Sequence, residues 1–166
     1  MHILVVGGGM GGTILANNLA RRLSGELEQG SSKITMLSAS DKHMYQPGLL
    51  YVAVGKMSTS ELYRDQKSLL EPTIDFHVDP VEKFDLDNNS VTTKSGKKIS
   101  YDIICIATGS RGNAAGIPGL AENACQFYTE ADALAMYKKL QKFEGGKVVV
   151  ATGVPHKCPM SPLEIT

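Results

Sequence analysis

The part of this sequence that most constrains its fold is a glycine-rich run near the N-terminus, Gly7-Gly8-Gly9-Met10-Gly11-Gly12. The run fits the pattern G-x-G-x-x-G, follows an apolar stretch at His2–Val6 and precedes a helical pattern over Met10–Leu23. In a dinucleotide-binding βαβ unit the first glycine permits the turn, the second lets a pyrophosphate approach the backbone and the third allows close helix packing. The predicted diphosphate contacts are therefore Gly7, Gly9, Met10, Gly11 and Gly12. A purely structural glycine turn is the alternative.

The helix after this turn is predicted from apolar residues that recur at helical spacing and that we expect to face the core. They are Met10, Ile14, Leu15, Leu19 and Leu23. The side of the helix that is predicted to face solvent carries Asn17, Asn18, Arg21 and Arg22. A loop is predicted over Ser24–Ser32, which is rich in Gly, Ser and Glu, and a second buried strand over Lys33–Leu37 completes the unit.

The end of the second strand lacks the acidic residue that normally binds the ribose hydroxyls of a dinucleotide. Ser38-Ala39-Ser40 stands there instead, so Ser38 and Ala39 are the predicted ribose contacts, and Ser38 carries no charge. Asp41 is a substitute three residues later, or else a plain loop residue. This absence weakens an interpretation as an NAD-dependent dehydrogenase more than one as an FAD-binding protein.

The middle of the chain changes character twice. After the mostly uncharged stretch Tyr45–Gly55, Ser58 or Ser60 is predicted to cap a helix through Leu62–Leu69. Short alternating stretches over Phe76–Ile99, broken by polar turns at residues 87–89 and 94–96, predict a small β-meander.

Three further elements are predicted towards the C-terminus. They are a buried strand over Tyr101–Ile106, a helix from Thr129 or Glu130 to Phe143, and a strand over Lys147–Ala151. The last strand should open a new unit, yet only fifteen residues follow it in the 166-residue sequence. We therefore expect this sequence to be part of a longer protein.

Composition excludes several classes of function. The 17 basic and 17 acidic side chains cancel, so no overall field favours nucleic acid. The N-terminus has no secretory signal pattern and no apolar run reaches the ~20 residues of a spanning helix, which predicts a cytoplasmic protein. The four histidines and three cysteines show no metal-ligand spacing, so no metal is expected.

The strand Tyr101–Ile106 is followed by Ala107-Thr108-Gly109, which resembles the second fingerprint of flavoproteins with two dinucleotide-binding domains. Together with Gly7–Gly12 and the end of the chain, it is most similar to the sulfide:quinone oxidoreductases and flavocytochrome c sulfide dehydrogenases. The resemblance implies FAD as cofactor, with Ala107, Thr108 and Gly109 close to it. Arg111 either meets a phosphate or is solvated.

The fold class implied is α/β. Residues 1–112 would form a Rossmann-type FAD-binding domain with a parallel sheet and an inserted β-meander, and residues 113–166 a connection and the incomplete beginning of a second Rossmann-like domain. In nicotinamide-binding relatives the strand at Lys147–Ala151 enters a second glycine turn. Here only Gly153 remains and Pro155 and Pro159 follow, so nicotinamide binding is not expected.

Two cysteines are the predicted catalytic residues. Cys158 lies beside Lys157 and near His156, and basic neighbours favour the reactive thiolate. The resemblance implies that Cys158 forms a disulfide or polysulfide bridge with a cysteine farther along the full protein; a buried structural cysteine is the alternative. Cys125 resembles a third functional cysteine of some members, or is a free loop thiol. Cys105, inside an apolar strand, is expected to behave as a small hydrophobe.

The resemblance implies an enzyme that takes electrons from sulfide and passes them through FAD to a quinone. It also implies a homo-oligomer and, in the full-length protein, peripheral association with the inner face of the cell membrane. The segment from His43 to Gly48 resembles the family's flavin-side loop, although packing roles are the alternative. The rivals are a type II NADH:quinone dehydrogenase-like flavoprotein and a truncated, non-catalytic nucleotide-binding domain. Without the partner cysteine, turnover by the isolated chain is not expected.

Overall fold

A computed structural model describes residues 1–151 of the chain. In these residues nine strands follow one another: β1 (His2–Val6), β2 (Lys33–Ser38), β3 (Lys42–Met44), β4 (Tyr63–Asp65), β5 (Ile74–Val78), β6 (Val81–Asp85), β7 (Ser90–Thr93), β8 (Lys98–Ser100) and β9 (Ile103–Ile106). The α-helices are α1 (Met10–Arg22), α2 (Ser24–Glu28), α3 (Leu49–Ala53), α4 (Leu120–Asn123) and α5 (Glu130–Leu140). Short 3-10 helices span Gln46–Gly48, Thr59–Leu62, Lys67–Leu69 and Ala114–Gly116.

The chain divides into two compact units. The first consists of Met1–Met44 and Tyr63–Arg111, and the second holds Tyr45–Leu62 together with the described residues from Gly112 onward. Among the residues described, no helix has the length and apolar character needed to cross a bilayer.

The first unit is built on a parallel sheet with the strand order β5-β2-β1-β9. Side chains of β1 alternate between the two faces of the sheet, and both faces are buried, as is typical of a parallel sheet. Ile3 and Val5 pack with Ala16 and Ala20 of α1 on one face. On the other face Leu4 and Val6 pack against the meander of β6, β7 and β8. Each fully buried aliphatic side chain stabilises the fold by about 1.5–3 kcal/mol.

The helix α1 forms where the sequence predicts it, but the prediction of its buried face is wrong for the first turns. Met10 and Ile14 are 49% and 55% exposed, whereas Leu19 and Leu23 pack partly against the core. The buried stripe consists of small residues: Gly12, Thr13, Ala16 and Ala20. The helix approaches the sheet too closely for long side chains to fit between them.

Two local predictions between the parallel strands are wrong. Helix α2 occupies part of the predicted loop Ser24–Ser32. The predicted helix Leu62–Leu69 is instead divided among 3-10 turns and β4, which pairs antiparallel with β3. Ser58 does begin a turn, because its N–H and hydroxyl both donate to the Glu61 carboxylate at 2.8 Å, but that turn is a 3-10 helix.

The meander is confirmed, with a later start than predicted. Phe76 belongs to β5 of the parallel sheet, so the antiparallel strands begin at Val81. Their turns contain Asn89 and Gly96, both with positive φ, inside or beside the polar breaks seen in the sequence. The strand β9 is also confirmed but is only partly buried, because it lies at an edge of the sheet.

The second unit contains α3 packed against α5. Helix α5 begins at the predicted place, where Thr129 and Asp132 form a capping box, and ends at Leu140 instead of Phe143. The predicted strand Lys147–Ala151 is wrong for the described structure. Val148 and Val149 are largely exposed, and a strand of a parallel sheet forms only where a neighbouring strand pairs with it.

Candidate dinucleotide-binding site

Three motifs that are far apart in the sequence meet at the carboxyl edge of the parallel sheet. Val6 at the end of β1 pairs in register with Leu37 of β2 and Ile106 of β9. The Gly7 N–H donates to the Leu37 carbonyl at 2.8 Å, and the Ala107 N–H donates to the Val6 carbonyl at 2.7 Å. Ligands of open α/β sheets bind at this edge. The structure therefore brings together the glycine turn, the end of β2 and the start of the segment after β9.

Two glycines of the turn are required by close packing of the protein against itself. Gly7 has φ +116°, and a Cβ added there would collide with the carbonyl of Ala107. A Cβ on Gly12 would collide with the carbonyl oxygen of Gly7. Gly7, the first glycine of the motif, therefore allows the turn, and Gly12, the third, allows the close packing of the helix, as the sequence predicts.

Gly9 has the opposite environment. A Cβ added at Gly9 or at Gly11 would meet no atom within 4 Å, and both residues are exposed. Gly9 is the N-cap of α1, no side chain caps this helix, and its first turn contains no acidic residue. The first intrahelical bond runs from the Thr13 N–H to the Gly9 carbonyl at 3.0 Å, which leaves the earlier N–H groups without an intrahelical acceptor. This open, uncapped helix start fits an anionic group such as a diphosphate.

The predicted ribose contacts lie beside the turn. Ser38 is buried at the end of β2, and a Cβ on Gly8 would lie 2.5 Å from the Ser38 Oγ. That oxygen accepts a hydrogen bond from the Ser40 N–H at 3.3 Å. Ala39 and Asp41 are exposed. The end of β2 thus offers a hydroxyl at the wall of the turn and two exposed residues next to it.

The segment after β9 continues away from the turn. Ala107 is half-buried against Gly7 and Gly12, whereas Thr108, Gly109 and Arg111 are exposed. Gly109 has φ +77°, a left-handed conformation that favours glycine. Of these residues, the structure places Ala107 in direct contact with the glycine turn.

The cysteines have different surroundings. Cys105 is half-buried in β9 and packs against the core cluster on the α1 face of the sheet. Cys125 is exposed in the segment between α4 and α5. Cys158 lies outside the described residues. The hydrophobic environment of Cys105 agrees with its predicted behaviour as a small hydrophobe.

A buried hydrogen-bond network lies behind the turn and was missed by sequence reasoning. Its centre is Gln66, which is 0% exposed. The Gln66 amide donates to the Thr13 hydroxyl at 2.9 Å, and its Oε1 lies 3.1 Å from Nδ1 of His43. His43 Nδ1 and Thr13 Oγ1 lie 3.1 Å and 3.3 Å from the carbonyl oxygen of Gly8. The sequence gives little signal for it, since a lone glutamine between charged residues is typical of a surface turn.

A cavity of about 290 Å³ was also not predicted; it opens among Leu37, His77, Val78, Asp79, Ser95, Lys97 and Ile99. It lies beside the ends of β2 and β5, two strands away from the segment after β9. The Ser95 hydroxyl donates to the Asp79 carboxylate at 2.6 Å, and this bond lowers the pKa of Asp79 below its ordinary value. The cavity therefore combines three apolar side chains with polar and charged ones, among them Asp79 and Lys97.

Comparison with known proteins gives this geometry a family. A family model described as pyridine nucleotide-disulphide oxidoreductase matches residues 1–154. The chain is 37% identical to the sulfide-quinone reductase of Aquifex aeolicus over 152 residues, which cover 90% of this chain and 34% of that protein. It is 30% identical to the mitochondrial sulfide:quinone oxidoreductase of Mus musculus over 170 residues, which cover 99% of this chain and 36% of that protein. The chain thus spans about a third of the length of these curated relatives.

Solved structures share the fold. The sulfide:quinone oxidoreductase from Aquifex aeolicus superposes with a TM-score of 0.70 at 33% identity, covering 85% of this chain and 32% of that one. NDH2 from Plasmodium falciparum superposes with a TM-score of 0.61 at 19% identity, covering 85% of this chain and 29% of that one, a likeness that concerns the fold alone. The predicted α/β fold class is confirmed.

Residues 1–154, which the family model matches, include the glycine turn Gly7–Gly12 and the segment Ala107–Gly109 on which the predicted resemblance depends. The glycine turn, Ser38 and Ala107 lie within the family match and at one edge of the shared parallel sheet. The resemblance inferred from Gly7–Gly12 and Ala107–Gly109 is thereby confirmed. This chain belongs to the pyridine nucleotide-disulphide oxidoreductase family.

Proposed function

We propose that this chain is the N-terminal part of an FAD-dependent sulfide:quinone oxidoreductase whose glycine turn holds the FAD diphosphate. The observation that carries the proposal is the open space in front of Gly9, where an added Cβ meets no atom within 4 Å at an uncapped helix start. The similarity to relatives named for sulfide and quinone supplies the proposed electron donor and acceptor.

The proposed binding mode follows the edge of the sheet. The N–H groups at the start of α1 donate to the diphosphate, assisted by about half a positive charge from the helix dipole. Ser38 offers an uncharged hydroxyl to the ribose of the adenosine half. The cavity beside Val78, with Leu37 and Ile99 on its walls, then receives the adenine. Ala107 closes the opposite side of the turn through its contact with Gly7.

The exposed residues after Ala107 complete the proposed site. Thr108 and Gly109 continue along the cofactor, and Arg111 offers a positive charge to a phosphate. We assign residues 1–112 to this FAD-binding segment and residues 113–166 to the connection and the beginning of a second Rossmann-like domain. The whole protein is proposed to be cytoplasmic, peripheral to the membrane and homo-oligomeric.

The proposed chemistry is a two-electron oxidation of sulfide. Bound FAD supplies a two-electron acceptor. Cys158 contributes one sulfur of a disulfide or polysulfide bridge, whose other cysteine lies farther along the full protein. Hydrosulfide would open the bridge by forming a persulfide on one cysteine and releasing the other as a thiolate. The persulfide and the thiolate would then close a bridge that is one sulfur longer, giving up one proton and two electrons, for which FAD would be the acceptor. The exposed thiol of Cys125 is the second proposed participant.

An absorbance spectrum of the purified full-length protein loaded with FAD tests the proposal, with sulfide and NADH added separately under anaerobic conditions. We expect a visible flavin band that sulfide bleaches and NADH leaves unchanged. Bleaching by NADH would instead support the NADH dehydrogenase-like alternative. A chain without a flavin band, or with one that neither donor bleaches, would support a non-catalytic nucleotide-binding domain.

A further inference from the structure

The hydrogen-bond network behind the glycine turn joins three separate elements. Thr13 lies in the first turns of α1, His43 in β3 and Gln66 directly after β4. The Gln66 N–H also donates to the carbonyl of Asp41 at 2.7 Å, which ties this residue to the segment before β3. A buried polar group without hydrogen-bond partners destabilises the fold, so a glutamine with no exposed surface requires these partners.

The directions of the hydrogen bonds follow from the acceptors. Nδ1 of His43 faces two acceptors, the Gly8 carbonyl oxygen and Gln66 Oε1, each at 3.1 Å, so this nitrogen carries the proton. The Thr13 hydroxyl accepts from the Gln66 amide and donates to the Gly8 carbonyl. Two donors therefore converge on the carbonyl of Gly8.

Fixing this carbonyl also fixes the next N–H. A trans peptide unit is planar, so the C=O of Gly8 and the N–H of Gly9 point in opposite directions. With the carbonyl held towards the network, the Gly9 N–H is directed away from it. An added Cβ on the same residue meets no atom within 4 Å, so the space around Gly9 is open. Three consecutive glycines have unusual backbone freedom, so this orientation needs an external constraint.

We propose that Thr13, His43 and Gln66 are positioning residues that hold the Gly8–Gly9 peptide with its N–H towards the cofactor diphosphate. This inference rests on the proposed function, because it deepens the role of the same turn. The three side chains act through the Gly8 carbonyl and do not touch the ligand. A merely structural role would fill the space behind the turn without controlling which ligands bind.

The substitution Thr13→Val tests this inference, since it keeps the shape of the side chain and removes the hydroxyl. We expect the Kd of the 166-residue chain for FAD and for ADP to rise about tenfold, as for one weakened charge-assisted hydrogen bond. The Kd for adenosine, which has no phosphate, should not change. Thr13→Ser should restore binding, and Gln66→Leu should reproduce the loss.

Thr35→Val is the matched control. Thr35 is equally buried, in β2, and its hydroxyl contacts His2 Nε2 at 2.8 Å, away from the turn. We expect this variant to bind ADP as the wild type does, at whatever stability it retains. Equal ADP binding by Thr13→Val and wild type would overturn the inference, and so would parallel losses of ADP and adenosine.

Failure of the proposed function has a different signature. A wild-type chain that binds ADP but not FAD contradicts the proposed function, and the Thr13 comparison then proceeds with ADP alone. If neither ligand binds, ¹⁵N relaxation dispersion of the Gly9 amide in the ligand-free chain decides. We expect conformational exchange at Gly9 in Thr13→Val and none in the wild type; identical behaviour of the two would overturn the inference.

Discussion

The carbonyl oxygen of Gly7 lies directly against the Cα of Gly12, so that no side chain fits between the turn and helix α1. The same helix buries only small residues in its first turns. Close contact between helix and sheet therefore depends on the absence of a single methyl group. This dependence can be separated from ligand binding by substitutions along the turn.

Gly12→Ala is expected to lower the free energy of unfolding by about 1–3 kcal/mol, because the methyl group overpacks the contact with Gly7. Gly11→Ala is the matched control, since its Cβ meets no atom within 4 Å. Alanine also favours a helix by about 1 kcal/mol over glycine, so this control should be as stable as the wild type or more stable. Urea unfolding measures both. Equal stability of the two variants would contradict the packing argument.

Gly9→Val is expected to leave the fold intact and to weaken FAD binding by about tenfold or more. Gly9 has φ −75° and ψ −175°, an extended conformation open to any residue, and its Cβ would point into free space. That space is where we place the diphosphate. FAD titration should therefore show weaker binding, whereas thermal unfolding should show an unchanged midpoint. A variant that binds FAD like the wild type would show that the diphosphate lies elsewhere.

Asp75 is expected to make the stability of the chain depend on pH in the acid range. Partial burial raises the pKa of Asp75, but hydrogen bonds from Lys33 and His77 outweigh it and lower the pKa below 3.8. The Lys33 Nζ lies 2.7 Å and the His77 Nε2 2.8 Å from its carboxylate oxygens. A lowered folded-state pKa stabilises the protein above the unfolded-state value, and this stabilisation is lost as the pH falls through the folded-state pKa.

Asp75→Asn should therefore be slightly less stable than the wild type near neutral pH, and the difference should shrink as the pH falls below 3.8. Both groups of the Lys33 pair are partly exposed, so we expect only a small effect. Urea unfolding at several pH values measures it. Glu82→Gln, at an exposed position of the meander, is the control. A stability difference that persists unchanged in acid would show that the ion pairs are not its source.

Leu4→Ala is expected to destabilise the chain by about 2–5 kcal/mol, because Leu4 is 0% exposed between the sheet and the meander. Leu86→Ala is the control, since Leu86 is 61% exposed in the turn between β6 and β7. Chemical denaturation should leave the control within about 0.5 kcal/mol of the wild type. A small loss at Leu4 would mean that the two faces of β1 are not both packed in solution.

Local sequence rules predicted the parts of the site that local sterics control. The turn at Gly7, the helix start at Met10 and the strand that ends at Ile106 each follow from a few consecutive residues. Their convergence was predictable because parallel strands end at the same edge of a sheet. The position of Ser38 at this edge follows for the same reason, whereas its contact with a ribose stays a prediction.

Long-range packing controls what was missed. Gln66 is buried because its amide reaches Thr13, a contact across 53 residues that no periodicity reveals. Ile14 was assigned to the core from its hydrophobicity, but the close approach at Gly12 leaves room only for small side chains. The helix predicted over Leu62–Leu69 gave way to a strand that pairs with β3, which shows tertiary pairing overriding local propensity.

The edge position of β9 affects how the chain behaves in solution. Among the described strands β9 has a neighbour on one side only, and Ile103 and Ile106 are 45% and 56% exposed. The unpaired N–H and C=O groups along such a sheet edge can form hydrogen bonds with another extended segment. Concentrated samples of this chain are therefore expected to self-associate by strand addition at β9. Pairing of β9 with a further strand would prevent this association.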